Sequence, residues 1–287
     1  MPPEESIYII NYLCYNYIEV MYMFYKGSYN FFDYKYNIIG YNGEDFGGFP
    51  QKFYLIISFL LIAVLLFSLR KISKDKVLKI IRFMGIFLVL FYILKTTWES
   101  YFDIKLGGAF NWWLLPFDTC SIIMTACLAS GFGKGKIKQM ADSWLATGAI
   151  VGGIAAMIFL NAFKYYPFFS FGAFYSMIWH LLMVYIGLLV IVTGYVEINY
   201  KTILNGFAFH FLISLIVIPI NYIWNFDFMM YRDLGGIPIF EDIATKFANN
   251  GLYFLNPVMM LTLYFIAFNI VFAIPLLIHS IRNRKKA

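Results

Sequence analysis

The sequence predicts an all-α polytopic membrane protein, a bundle of about seven transmembrane helices with the N-terminus outside and the C-terminus cytoplasmic. Three observations predict it. Of 287 residues, 61% are apolar and only 13% charged, and the mean hydropathy is +0.71. A soluble chain is nearer half apolar and a quarter charged, and surface area limits how much apolar side chain a core of this length can hide. Apolar runs of spanning length recur along the chain, and short basic clusters alternate with acidic or neutral connections.

A spanning helix needs about 20 mostly apolar residues. Seven stretches qualify: Phe53–Leu69, Ile80–Trp98, Trp112–Ser130, Trp144–Phe163, Phe171–Thr193, Ile203–Trp224 and Val258–Ile278. An eighth run, Ile7–Tyr25, contains Asn11, Asn16 and Glu19 among tyrosines and reads as an interfacial helix. The chain thus divides into an extracytoplasmic N-terminal segment (1–52), a seven-helix domain (53–280) and a basic cytoplasmic tail (281–287). The acidic start MPPEES lacks the basic region of a secretory signal. No internal repeat is evident.

Loop charge sets the orientation. The first connection holds Arg70, Lys71, Lys74, Lys76 and Lys79, the third Lys134, Lys136 and Lys138, and the tail Arg282, Arg284, Lys285 and Lys286. The second holds Glu99, Asp103 and Lys105, and the sixth Asp227, Asp233, Glu241 and Asp242 against Arg232 and Lys246. The positive-inside rule puts the basic side in the cytoplasm. The formal charge of +6 is accounted for by these clusters, so nucleic acid is not expected as a partner.

Polar groups inside spans are costly and mark function or pairing. Entering from outside, the third span reaches Cys120 after about eight residues, or about 12 Å. The fifth reaches His180 at a similar depth. The sixth runs outward to Asn221, Tyr222 and Asn225 in the same layer. A thiol and an imidazole together fit a nucleophile and its base. Each has a plainer reading: a free cysteine packs as a small apolar residue, and a membrane histidine bonds a neighbouring helix. Asp118 lies about 200° around a helix from Cys120, as orienting group or as salt-link partner of Lys95 or Arg232. His210 is a second candidate base or a packing histidine, and His279 is interfacial. Cys127 reads as core, Trp112 and Trp113 as interface anchors, and Gly148, Gly152 and Gly153 as close helix packing. With Cys14, Cys120 and Cys127 only, there is no disulfide framework or metal-ligand spacing. No metal or cofactor is expected.

These residues carry a resemblance. LLPFDTCS (Leu114–Ser121), the Pro167 to His180 stretch, PINYIWNFDFM (Pro219–Met229) and GGIPIF (Gly235–Phe240) resemble, in order and spacing, the YwaF family of bacterial integral membrane proteins, prokaryotic relatives of transmembrane protein 164. The resemblance implies a helical bundle related to the androgen-induced-protein lipid hydrolases, in a bacterial cell membrane. It also implies Cys–His acyl chemistry on phospholipids, with the nucleophile on Cys120 and the base on His180. Asp118 departs from the family pattern, which usually carries a His there.

The expected function is therefore a membrane-embedded lipid acyltransferase or hydrolase, with membrane lipids as partners. Asn221, Tyr222 and Asn225 would offer oxyanion or head-group hydrogen bonds. A transporter or substrate-binding subunit, and a structural membrane protein without chemistry, are the alternatives. Transporters often show inverted repeats, which are not seen here.

The orientation is testable. In a Cys14→Ser background, Asp242→Cys is expected to react with a membrane-impermeant maleimide in intact cells, and Lys71→Cys only after lysis. The reverse pattern would overturn it.

Overall fold

The computed structural model describes residues 30–33, 47–105, 107–159, 162–233 and 238–284. These are helical, with no strand among them, and they contain seven stretches long and apolar enough to cross a membrane. The helices are α1 (Phe49–Leu69), α2 (Lys74–Lys105), α3 (Ile122–Phe132), α4 (Gly135–Ala146), α5 (Gly148–Phe159), α6 (Phe171–Val192), α7 (Tyr200–Trp224), α8 (Pro238–Asn249) and α9 (Leu255–Arg284). The Ile7–Tyr25 run lies outside the described residues, as does Cys14. Residues 30–33 form a turn seated beside α6. Phe31 O accepts from Phe171 N (2.7 Å), and Phe32 O accepts from the Trp98 indole (3.0 Å).

All seven expected spans are present, but two are built differently from a single helix. The third joins a short 3₁₀ turn (Trp112–Leu114), an irregular stretch, a second 3₁₀ turn (Thr119–Ser121) and α3. Pro116 explains the gap. It lacks an N–H and biases the preceding residue to extended backbone, and Leu115 has φ −70°, ψ 146°. The fourth span is α4 followed by α5, broken at Thr147 (φ −120°, ψ −73°). It begins at Gly135, well ahead of the expected Trp144. The charges that mask its first turns neutralise one another: Lys138 pairs with Asp142 (2.9 Å) and donates to Tyr195 OH (2.6 Å), and Ser130 donates to Asp142.

The fourth and fifth spans form the centre, with 61% and 67% of their apolar windows buried. The first and last form the rim, at 17% and 11%. There α1 exposes Ile56, Leu60, Val64 and Phe67, and α9 exposes Ile270, Ile274 and Leu277, as lipid-facing surfaces do. One end of the bundle carries the Arg70–Ser73 and Gly133–Lys134 turns (the basic end). The other carries the 225–233 loop and α8 (the loop end).

The Thr147 break is clasped by backbone contact. A Cβ at Gly206 of α7 would stand 2.4 Å from Thr147 Oγ1 and 3.0 Å from Ser143 O, and one at Gly187 of α6 would stand 2.8 Å from Leu145 O. Small residues let helices approach this closely in lipid, where packing rather than water exclusion joins them. Gly148, Gly152 and Gly153 serve the same purpose, as expected. At Gly153 a Cβ would meet Val184 at 2.7 Å and His180 O at 3.2 Å. Gly206→Val is expected to cost about 1–3 kcal/mol through overpacking, read as earlier thermal exposure of the buried Cys127 thiol in detergent. An unchanged profile would show that the α4–α7 contact is not close-packed.

Candidate functional site

Cys120 does not sit inside a regular helix. It occupies the middle of the 3₁₀ turn Thr119–Ser121, just where α3 begins. It is half-buried, while Pro116 and Asp118 are exposed, so the break opens onto the surface of the bundle. Irregular backbone at membrane depth persists only where protein or a polar cavity satisfies it. Two elements do so, and two more brace its side chains. From α2, Tyr92 OH donates to Leu114 O. From α6, the Trp179 indole donates to Cys120 O at 3.1 Å. From α9, Tyr264 OH shares a hydrogen bond with Thr119 Oγ1 at 2.6 Å. From the 225–233 loop, the Phe228 ring packs against those of Trp113 and Phe117, at 5.5 and 5.6 Å between centroids.

His180 follows Trp179 on α6 and is buried. Its Nδ1 lies 2.8 Å from Ser176 O and 3.4 Å from Ser176 Oγ. A carbonyl only accepts, so Nδ1 carries the proton and Nε2 is the basic nitrogen. Nε2 is buried and has no hydrogen-bond partner. His180 and Cys120 are therefore on elements joined by the Trp179 bond, but no hydrogen bond links them directly. An aromatic cluster flanks that junction: Tyr175 stacks on Trp179 (5.3 Å between centroids), and Tyr92 packs against it (5.9 Å).

The other sequence candidates hold the loop end together. Asn221 is buried and committed to one residue: Nδ2 donates to Phe228 O (2.8 Å), and Oδ1 accepts from Phe228 N (3.0 Å). Asn225 is exposed and left-handed (φ 61°), ending α7. Tyr222 donates to Tyr253 O (3.0 Å) and lines a cavity of about 580 Å³ with Arg232, Asp233, Glu241, Tyr253 and Asn256. Asp118 feels Lys95 as a nearby charge, while Lys95 itself pairs with Glu99 at 2.5 Å. The loop itself is strained. Met229 and Met230 both have φ 57°, a region L residues rarely adopt. Asp227 helps to hold it, accepting from Arg232 N (2.8 Å) and Asp233 N (3.0 Å), and Asn256 donates to Arg232 O.

Sequence reasoning missed a second polar cluster. Tyr231, fully buried, dips from the loop into the bundle, where its OH lies 2.6 Å from Ser214 Oγ and 3.1 Å from His210 Nε2. The His210 ring lies 4.4 Å from that of Tyr264, which carries the Thr119 bond. His210 was legible as a polar residue in mid-span. Tyr231 and Tyr264 were not, because tyrosine is common throughout this chain and usually marks the interface. Cys127 is buried core, as expected. No group of His, Cys, Asp and Glu that could hold a metal occurs among the described residues.

The model of the TMEM164 family matches residues 46–279, from just before α1 into α9. The chain belongs to that family. Comparison with curated proteins and with solved structures found no match. The matched range of this TMEM164-family chain includes both polar clusters and the strained loop.

Asn221→Ala would leave a buried N–H and C=O of Phe228 without partners, at about 1–3 kcal/mol each. The expected result is faster amide exchange across 226–232 with the seven spans intact. Unchanged exchange would show that Asn221 does not hold the loop.

Proposed function

We propose that this TMEM164-family protein is a membrane-embedded acyltransferase or hydrolase of lipid esters, with Cys120 as nucleophile and His180 as base. The observation that carries the reading is the basic, buried and unpartnered Nε2 of His180, one residue from the indole that holds Cys120 O. A buried polar atom left unsatisfied in a membrane calls for an explanation, and the role of proton acceptor for the Cys120 thiol would supply one. The exposed Pro116 and Asp118 mark where a lipid ester would approach Cys120.

In this mechanism the thiol proton passes to Nε2 as the sulfur attacks the ester carbonyl. The tetrahedral intermediate collapses, the glycerol oxygen leaves with the proton from the imidazolium, and the acyl group stays on Cys120 as a thioester. His180 then takes a proton from an incoming hydroxyl, which attacks the thioester and releases the Cys120 sulfur, reprotonated by His180. A lysolipid hydroxyl gives transfer, and water gives hydrolysis. Catalytic hydrogen bonds often tighten only when substrate is bound, which accommodates a Cys120–His180 contact not made in its absence. We assign Tyr222, at the loop-end cavity, to the lipid head group. Asn221 and Asn225 act through the loop that shapes that cavity. With the basic end in the cytoplasm by the positive-inside rule, the reaction faces the outer leaflet.

The test uses purified protein and a lipid-like electrophilic probe. Labelling is expected at Cys120, lost in Cys120→Ala and reduced about 10²–10⁴-fold in His180→Ala. Absence of Cys120 labelling in the unmodified protein would end the proposal. Equal labelling rates with and without His180 would remove the base.

A further inference from the structure

Acyl transfer needs more than a nucleophile and a base. When sulfur bonds to the carbonyl carbon, the C=O π pair moves onto oxygen, and that oxyanion needs a preorganised donor. The sequence candidates for this role are held in the loop end, and Asn221 already bonds the main chain of Phe228. Beside Cys120, however, two hydroxyls face each other: Thr119 Oγ1 and Tyr264 OH, 2.6 Å apart. The pair owns two hydroxyl hydrogens, and the bond between them uses one. The second is available to a third oxygen. Tyr264 also lies within electrostatic reach of Cys120 and Asp118. Its ring cannot swing freely, because His210 packs on it at 4.4 Å and Tyr231 meets it edge-on at 6.3 Å. His210 and Tyr231 are themselves tied to each other, and Tyr231 to Ser214.

We propose that the Tyr264–Thr119 hydroxyl pair is the oxyanion donor of the Cys120 site, with Tyr264 as a catalytic residue. This rests on the reading of Cys120 as an acyl-accepting nucleophile. The donor acts without transferring a proton. The phenol O–H bonds the oxyanion while it exists, and releases it when the C=O re-forms and the alkoxide leaves.

The test exploits a difference between two reactions of one thiol. Acylation by p-nitrophenyl octanoate passes through an oxyanion, whereas alkylation by chloroacetamide does not. In full-length protein, Tyr264→Phe is expected to slow the nitrophenolate burst and Cys120 acylation by about 10²-fold, leaving alkylation within about two-fold. A second variant preserves shape: 3-fluorotyrosine at position 264 strengthens the donor and should speed acylation alone. Equal loss of both reactions in Tyr264→Phe, or no effect of fluorination, would overturn the assignment. So would an unchanged burst in Tyr264→Phe while Cys120 is still acylated, and that result would leave the nucleophile standing. A protein never acylated at Cys120 would take both proposals down together.

Discussion

The rest of the bundle is arranged around one constraint: a helix interrupted within hydrocarbon must find partners for the groups it frees. Pro116 creates the interruption, and the chain answers it from four directions. Tyr92 and Trp179 donate to the carbonyls of Leu114 and Cys120, Tyr264 bonds the Thr119 hydroxyl, and the Phe228 ring packs on Trp113 and Phe117. These partners come from the second, fifth and seventh spans and from the 225–233 loop. The unwound stretch is thus the junction through which the rim helix α9, the central helix α6 and the strained loop touch the same few residues. Cys120 sits at that junction.

The chemistry inherits its asymmetry from the same arrangement. On one side of the Cys120 turn lies an aromatic wall of Tyr92, Tyr175 and Trp179, with His180 next along α6. On the other lies a hydroxyl-rich cluster of Thr119, Tyr264, Tyr231 and Ser214 around His210. The two histidines differ in what holds them. His180 is bonded by its own helix, one turn earlier, which leaves Nε2 free. His210 is bonded by a residue of the distant loop, so its ring position depends on that loop staying closed.

Much of this was legible in the sequence. Hydropathy located the spans because lipid imposes a length and an apolar content that few other environments demand. The glycines of the fourth span announced close packing, and Cys120, His180 and His210 stood out as polar residues in apolar surroundings. What hydropathy could not show was neutralisation in three dimensions. Lys136, Lys138 and Asp142 read as a loop until the Lys138–Asp142–Tyr195–Ser130 network is seen. Nor could it show that Asn221 and Asp227 spend their hydrogen bonds on loop backbone, since an amide in a motif looks the same whether it faces a substrate or Phe228. The tyrosines were the deepest loss, because an amphipathic residue gives no hint of which end will be buried.

The unequal lengths of the spans carry a further consequence. At 32 residues, α2 is about 48 Å long, while the 21 residues of α1 give about 31 Å, close to the hydrocarbon thickness. Mismatch between bilayer and helix is relieved by tilting, and the first and last spans are the least held by protein, at 17% and 11% buried. A thicker or thinner membrane would therefore tilt α1 and α9 against a centre clasped at Thr147. Since α9 carries Tyr264, such a tilt would act directly on the Thr119–Tyr264 hydrogen bond.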